Sequence, residues 1–242
     1  MEGKFSGLIK IFATALLMKL ELILFSGLLV SFISINIATA SEKNNAYLEW
    51  KKEAEAGDIR KQVSFGKMSM NLGDYKNAML FLSKAANKGD VESQYYVGLF
   101  YYYGKGVNKN NTKAAYWLEK AAIGGHAIAQ SDISNFYKSG RGVDKNCEKA
   151  RYWLSKSVVH GNDSSYLNMG NMHLDGICAP INMKEAAYWY SKSAENSNAQ
   201  AQYNIGMMYK LGEGVKQDAF KASQYLMKSC DNGYEQACEY VN

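Results

Sequence analysis

The chain has 242 residues, with 28 Lys and Arg against 23 Asp and Glu, a formal net charge of +5 and 47% hydrophobic residues. No basic run stands out, so the electrostatic footprint of a nucleic-acid binder is missing. The chain is also long enough to bury a core without a dense disulfide framework.

The first forty residues differ from the rest. A basic start is followed by the uncharged stretch Leu22–Ile37, LILFSGLLVSFISINI, then by Ala38-Thr39-Ala40 and a polar run. These are the three parts of a secretory signal peptide, which predicts residues 1–40 as a leader cleaved after Ala40. An uncleaved anchor is the alternative, although the apolar stretch falls short of the roughly 20 residues that span a bilayer. Met18-Lys19 opens a compact version of the same leader and is a second candidate start. The mature protein is expected to have no stable membrane insertion and to be periplasmic or secreted.

Beyond the leader the chain repeats itself. With a shift of 36 residues, Trp117, Trp153, Trp189 and Tyr225 coincide, as do Ala114, Ala150, Ala186 and Ala222, and Lys120, Lys156, Lys192 and Lys228. Gly104-Lys-Gly-Val107, Gly140-Arg-Gly-Val143 and Gly212-Glu-Gly-Val215 coincide as well, whereas the fourth copy reads Gly176-Ile-Cys-Ala179. Each unit carries two helical stripes, for example Ser93, Val97, Phe100 and Tyr101, then Ala114, Trp117, Leu118 and Ala121. One proline, Pro180, in a chain rich in Ala, Lys, Leu and Met agrees with helices throughout.

In chain order the reading is a capping helix at 41–57 and repeats at 58–89, 90–125, 126–161, 162–197 and 198–233. A partial capping helix follows at 234–242. A lone helix pair buries only part of its apolar face, so neighbours must stack to complete the core. The expected fold is all-α, a right-handed α/α solenoid of about five helix-turn-helix repeats.

The pattern of a small residue, an aliphatic residue, Gly and Tyr on the first helix, then G-x-G-V, then K-A-x-x-W/Y-x-x-K-A-A-x-x-G on the second, resembles the Sel1-like repeat family, relatives of tetratricopeptide repeats. The resemblance covers about residues 58–233. It implies a solenoid whose first helices line a concave groove, and an adaptor or envelope or host-interaction role for an exported bacterial member. It also implies two alternatives: a periplasmic immunity-type protein against a toxin, and a β-lactam-binding or hydrolysing protein like the cysteine-rich Sel1-like proteins of Helicobacter.

The four cysteines are Cys147, Cys178, Cys230 and Cys238. Cys230 and Cys238 flank the turn Asp231-Asn-Gly233, so antiparallel packing brings them within bridging reach. Cys147 opens a second helix and Cys178 takes a loop glycine's place in the next repeat, which suggests a second bridge that stands in for the turn Ile177-Cys-Ala-Pro180 no longer makes. A zinc site of Cys147, Cys178 and His173 is the rival, although the spacing lacks C-x2-C.

Signals for catalysis are weak. Gly104-Lys-Gly106 follows a helix rather than a strand and reads as a turn. His126 and His160 lie at inter-repeat turns. Ser64-Phe-Gly-Lys67 matches S-x-x-K and Lys138-Ser-Gly140 faintly resembles K-T-G, but at positions where polar residues face solvent. No enzyme activity and no cofactor are expected. A glycan-binding groove is a further, weaker option.

The first-helix side opposite the core stripe gives the candidate groove: Tyr95, Tyr96, Leu99, Tyr102 and Tyr103 in repeat two, Asp132 and Asn135 in repeat three, Asn168 and Asn171 in repeat four, and Tyr203, Asn204 and Met207 in repeat five. Rigid aromatic anchors with polar neighbours are the usual composition of protein-binding hot spots. The expected partner is a protein, not nucleic acid. Tyr96, Tyr102 and Tyr103 have no tyrosine counterpart in the other repeats, so the scaffold does not account for them.

Overall fold

The computed structural model describes residues 45–240, so the predicted leader, its cleavage site after Ala40 and Met18 lie outside the described residues. Two compact units divide the chain at Asp58. In the first, helix α1 spans residues 45–55 and exposes Leu48 and Trp50. The second holds α2 (Ile59–Asn71), α3 (Tyr75–Asn87), α4 (Val91–Tyr103), α5 (Asn111–Ile123), α6 (Ala127–Ser139), α7 (Cys147–Val159), α8 (Asp163–Asp175), α9 (Met183–Glu195), α10 (Ala199–Leu211), α11 (Ala219–Asp231) and the short α12 (Glu235–Cys238). Among the described residues no helix is long and apolar enough to cross a membrane.

The second unit is an α/α solenoid, as expected. Each first helix packs on its own second helix, α4 on α5 or α6 on α7, and each second helix packs on the next first helix. Asx side chains start the helices: Asn110, Asn146 and Asp218 accept from the backbone N–H three residues on, at 2.9, 2.9 and 3.0 Å. The same residues return to the preceding helix, Asn110 N–H donating to Tyr101 O at 2.8 Å and Asn146 N–H to Tyr137 O at 2.9 Å. The 36-residue period is therefore a closed circuit of backbone hydrogen bonds, not only an apolar pattern.

The aligned columns keep their roles. Ala78, Ala114, Ala150, Ala186 and Ala222 are all buried where helices cross. Gly98 lies under Leu118, and a Cβ there would come 2.9 Å from Leu118 Cγ. Gly98→Ala is expected to cost about 1–2 kcal/mol by overpacking, measured by urea unfolding. An unchanged midpoint would show that the pair can separate freely.

The glycine loops dock on the preceding repeat. Gly104 ends α4 in the left-handed conformation at φ 72°, and Gly106, at φ 71°, sits so close to α3 that a Cβ would lie 2.2 Å from Tyr75 O. Gly142 meets Asn111 and Gly214 meets Met183 in the same way. Repeat four has Cys178 at this position, and it joins Cys147, the first residue of the preceding second helix, with Cα atoms 4.7 Å apart. The turn itself survives, because Cys178 takes φ 67°. The bridge thus replaces the close backbone approach that glycine allows elsewhere, and the expectation that it stands in for a lost turn is corrected. Cys230 and Cys238 form the second bridge, Cα to Cα 4.9 Å; both thiols of the rival zinc site, Cys147 and Cys178, are taken up in the first.

One junction differs from the others. The buried clusters on α3–α4 and on α5–α7 both pack against Tyr101, but the α5–α7 cluster shares no residue with the one on α9–α10. Between them Ser157 and Ser165 face each other, Oγ to Oγ 2.5 Å, where the α5–α6 pair has Ala121 and Ala129. Gln94, Gln130 and Gln202 each donate to the preceding repeat's backbone, to Ala86 O, Ala122 O and Ala194 O at 3.2, 3.0 and 3.3 Å. Tyr166 occupies that column in repeat four, so this bond is missing at the α7–α8 junction, and the Cys147–Cys178 bridge spans the same junction.

Candidate binding groove

The side of α4 opposite its core stripe ends in Tyr95, Tyr96, Leu99 and Tyr102, all partly exposed, and Tyr103, which is 62% exposed. Helical spacing puts these residues on one flank, and the 36-residue register sets Asp132 and Asn135 of α6 beside them. Leu99, Tyr102, Tyr103, Asp132 and Asn135, five residues picked from the repeat columns, line one cavity of ≈ 200 Å³ together with Leu118, Phe136 and Arg141.

Each wall is fixed by identifiable contacts. Tyr102 packs on Phe136 with ring centroids 5.5 Å apart and meets Tyr103 edge-on at 4.8 Å. Arg141 lies over both the Tyr102 and Phe136 rings at 5.4 and 5.7 Å, and its Nη1 donates to the Tyr102 hydroxyl at 2.6 Å. Tyr95 stacks on His126, centroids 4.3 Å apart, and its phenol lies beside the Asp132 carboxylate. His126 is held in turn by Nδ1 accepting from Ala129 N–H at 3.2 Å, which caps α6. A stacked, capped imidazole thus braces the tyrosine beside the carboxylate.

The electrostatics follow from burial. Desolvation lifts the Asp132 carboxyl from 3.8 to about 6, against the opposing effect of the Tyr95 hydrogen bond. Burial, then the neighbouring Asp132 charge, pushes the Tyr95 phenol well above its ordinary value. Desolvation lowers the His126 imidazole, with Glu92 acting the other way. Among the described residues no ion pair neutralises Asp132.

Further along, the candidates serve the scaffold. Asn168 Nδ2 donates to Ser131 Oγ at 2.9 Å, and the buried Tyr190 hydroxyl donates to Asn171 Oδ1 at 2.7 Å beside Asn204. Tyr203 stands against Tyr234 and Tyr240, centroids 5.1 and 6.1 Å away, and Met207 is partly buried. On the first helices the exposed aromatic is therefore Tyr103 of repeat two, while Tyr116, Tyr152, Tyr188 and Phe220 are exposed on second helices. Arg141, Phe136 and His126 belong to this site and are missing from the sequence-based set. The repeat columns assign Arg141 to a turn and His126 to a connector, and only the fold brings both to the tyrosines.

The weak catalytic pattern is not assembled as a site. Lys67 pairs with Glu92 at 2.5 Å and lies 5.9 Å from the Tyr96 ring centroid, while Ser64 is exposed. Among the described residues no group of three His, Cys, Asp or Glu side chains is placed to hold a metal ion.

Comparison with known proteins gives a consistent picture. A model of the Sel1 repeat matches residues 69–90, 91–126, 127–158, 163–198 and 199–234. Among solved structures, a protective antigen present in uropathogenic Escherichia coli strains and displaying an SLR fold is 29% identical, with a TM-score of 0.75 over 81% of this chain and 43% of that one. A Sel1 repeat protein from Oxalobacter formigenes is 31% identical, with a TM-score of 0.70 over 82% of this chain and 58% of that one. The chain thus spans less than two thirds of the length of either. A search of curated protein sequences found no match.

Proposed function

We propose, from the premise that this chain belongs to the Sel1 repeat family, that it is a protein-interaction module which holds an extended segment of a partner against the first helices of repeats two and three. The observation that carries this reading is the cluster of Leu99, Tyr102 and Tyr103 around a cavity that also presents Asp132 and Asn135, with Tyr96 partly exposed on the same helix. Exposed aromatic residues grouped in this way mark contact surfaces more often than scattered ones do. Two disulfides and the leader-like start of the sequence support work in an oxidising compartment, the periplasm or the exterior. The role is that of a scaffold rather than of an enzyme, since the amine of the S-x-x-K pattern is engaged by Glu92.

Affinity capture from envelope extracts and secreted proteins tests the reading, comparing wild type with the combined Tyr96→Ala, Tyr102→Ala and Tyr103→Ala variant. Each anchor is worth about 2 kcal/mol, so binding is expected to fall at least roughly a hundredfold. Undiminished capture by a variant with wild-type helicity would put the binding surface elsewhere.

A further inference from the structure

The cavity between α4 and α6 holds a carboxylate that its one lining cation, Arg141, does not pair with. Asp132 is partly buried beside Tyr95, and among the described residues it forms no ion pair. A desolvated anion without a counter-ion costs stability, and a cation that enters the cavity removes that cost. The remaining walls suit a cation too: the rings of Tyr102, Tyr103 and Phe136 present faces and edges, and Asn135 offers an amide carbonyl. At ≈ 200 Å³ the cavity is smaller than the roughly 300–1,000 Å³ of small-molecule sites and is the size of an anchor pocket for one side chain.

The other charged and titratable groups do not reverse this balance. Arg141, on the loop after α6, lies against Tyr102 and Phe136, and Lys109 and Lys105, on the loop after α4, stand 5.7 and 6.0 Å from the Tyr102 and Tyr103 ring centroids; all three are exposed, so water screens much of their charge. Burial keeps the Tyr95 phenol of α4 neutral, and His126 lies behind the Tyr95 ring. Neither α7 nor α8 contributes a residue to the lining, and α5 contributes Leu118 alone.

We infer that this cavity receives a lysine or arginine side chain of the bound segment, with Asp132 as its counter-ion and the α4 tyrosines as its walls. The inference rests on the groove reading above and adds the chemistry of the partner: an extended segment with a basic anchor residue.

Selection of random linear peptides displayed on phage against purified wild-type protein, the Asp132→Asn variant and the triple tyrosine variant separates the two ideas. The expected result is a basic residue shared by the wild-type binders, whose change to methionine weakens binding about tenfold or more in wild type and much less in Asp132→Asn. Binding by wild type should also fall about tenfold when the pH drops one unit below 6, as Asp132 takes up a proton, and Asp132→Asn should lack most of this dependence. Because His126 is retained in both proteins, the comparison isolates Asp132. Peptides that need the tyrosines but show no basic preference, or bind Asp132→Asn equally well, would overturn the inference and leave the groove reading standing. Failure to select any peptide would overturn both.

Discussion

Alanine in place of both Cys147 and Cys178 is expected to lower the unfolding free energy by about 3.5 kcal/mol and to split one thermal transition into two. The first figure follows from the chain-entropy cost of a loop with sequence separation 31, against about 2.5 kcal/mol for the separation of 8 between Cys230 and Cys238. The second follows from where the bridge lies. At the α7–α8 junction Ser157 and Ser165 replace an alanine contact, Tyr166 replaces the bridging glutamine, and the buried clusters on either side share no residue. A solenoid's cooperativity is the sum of its neighbour interfaces, so repeats one to three and four to five should come apart once the staple is gone. Calorimetry with and without reductant checks this. A second variant, Cys147→Ala with Cys178→Gly, should regain about 1 kcal/mol, because glycine adopts the left-handed φ of 67° without strain. A single transition at an unchanged temperature would mean that the junction holds without the bridge.

Asp132→Asn is expected to stabilise the protein at neutral pH. The folded carboxyl titrates near 6 rather than at 3.8, so the folded state binds the proton more tightly than the unfolded chain does. Stability from this group is therefore fully present below 3.8 and is lost as the pH rises through about 6. The rise corresponds to about 3 kcal/mol, which is the amount by which the wild-type and Asn stabilities should move relative to each other across that window. Urea unfolding of both proteins from below 3.8 to above 6 measures it. A difference that stays flat with pH would show that the carboxylate is solvated in the folded state. A measured cost of this kind at a residue that lines the cavity would agree with the proposed role of Asp132 in binding.

Much of this was legible in the chain because it contains its own comparison. Ala114, Trp117 and Gly104 could be assigned to core and turn from their copies, and subtracting those copies left Tyr96, Tyr102 and Tyr103. Two of these, Tyr102 and Tyr103, line the cavity, with Leu99, Asp132 and Asn135 from the same side of the first helices. Column arithmetic is blind to what crosses between columns. Asn168 and Asn171 face the groove by register, yet their amides are used by Ser131 and Tyr190, and nothing in a helical period reports a partner 37 or 19 residues away. Arg141 was hidden for the opposite reason: it is the variable residue of a recurring turn, and its reach across to Tyr102 depends on the docking of that loop.

The seating of each loop on the repeat before it also governs how such a chain can change length. Where Gly106, Gly142 or Gly214 meets the preceding helix, the joint is the same every time, so a whole unit could be lost or duplicated and its neighbours would still fit. Repeats three and four are different, for they are yoked by a covalent bond whose halves lie in separate units. Excising either would leave an orphan thiol, free to capture another chain wherever the surroundings are oxidising, so the pair can be inherited or lost only together.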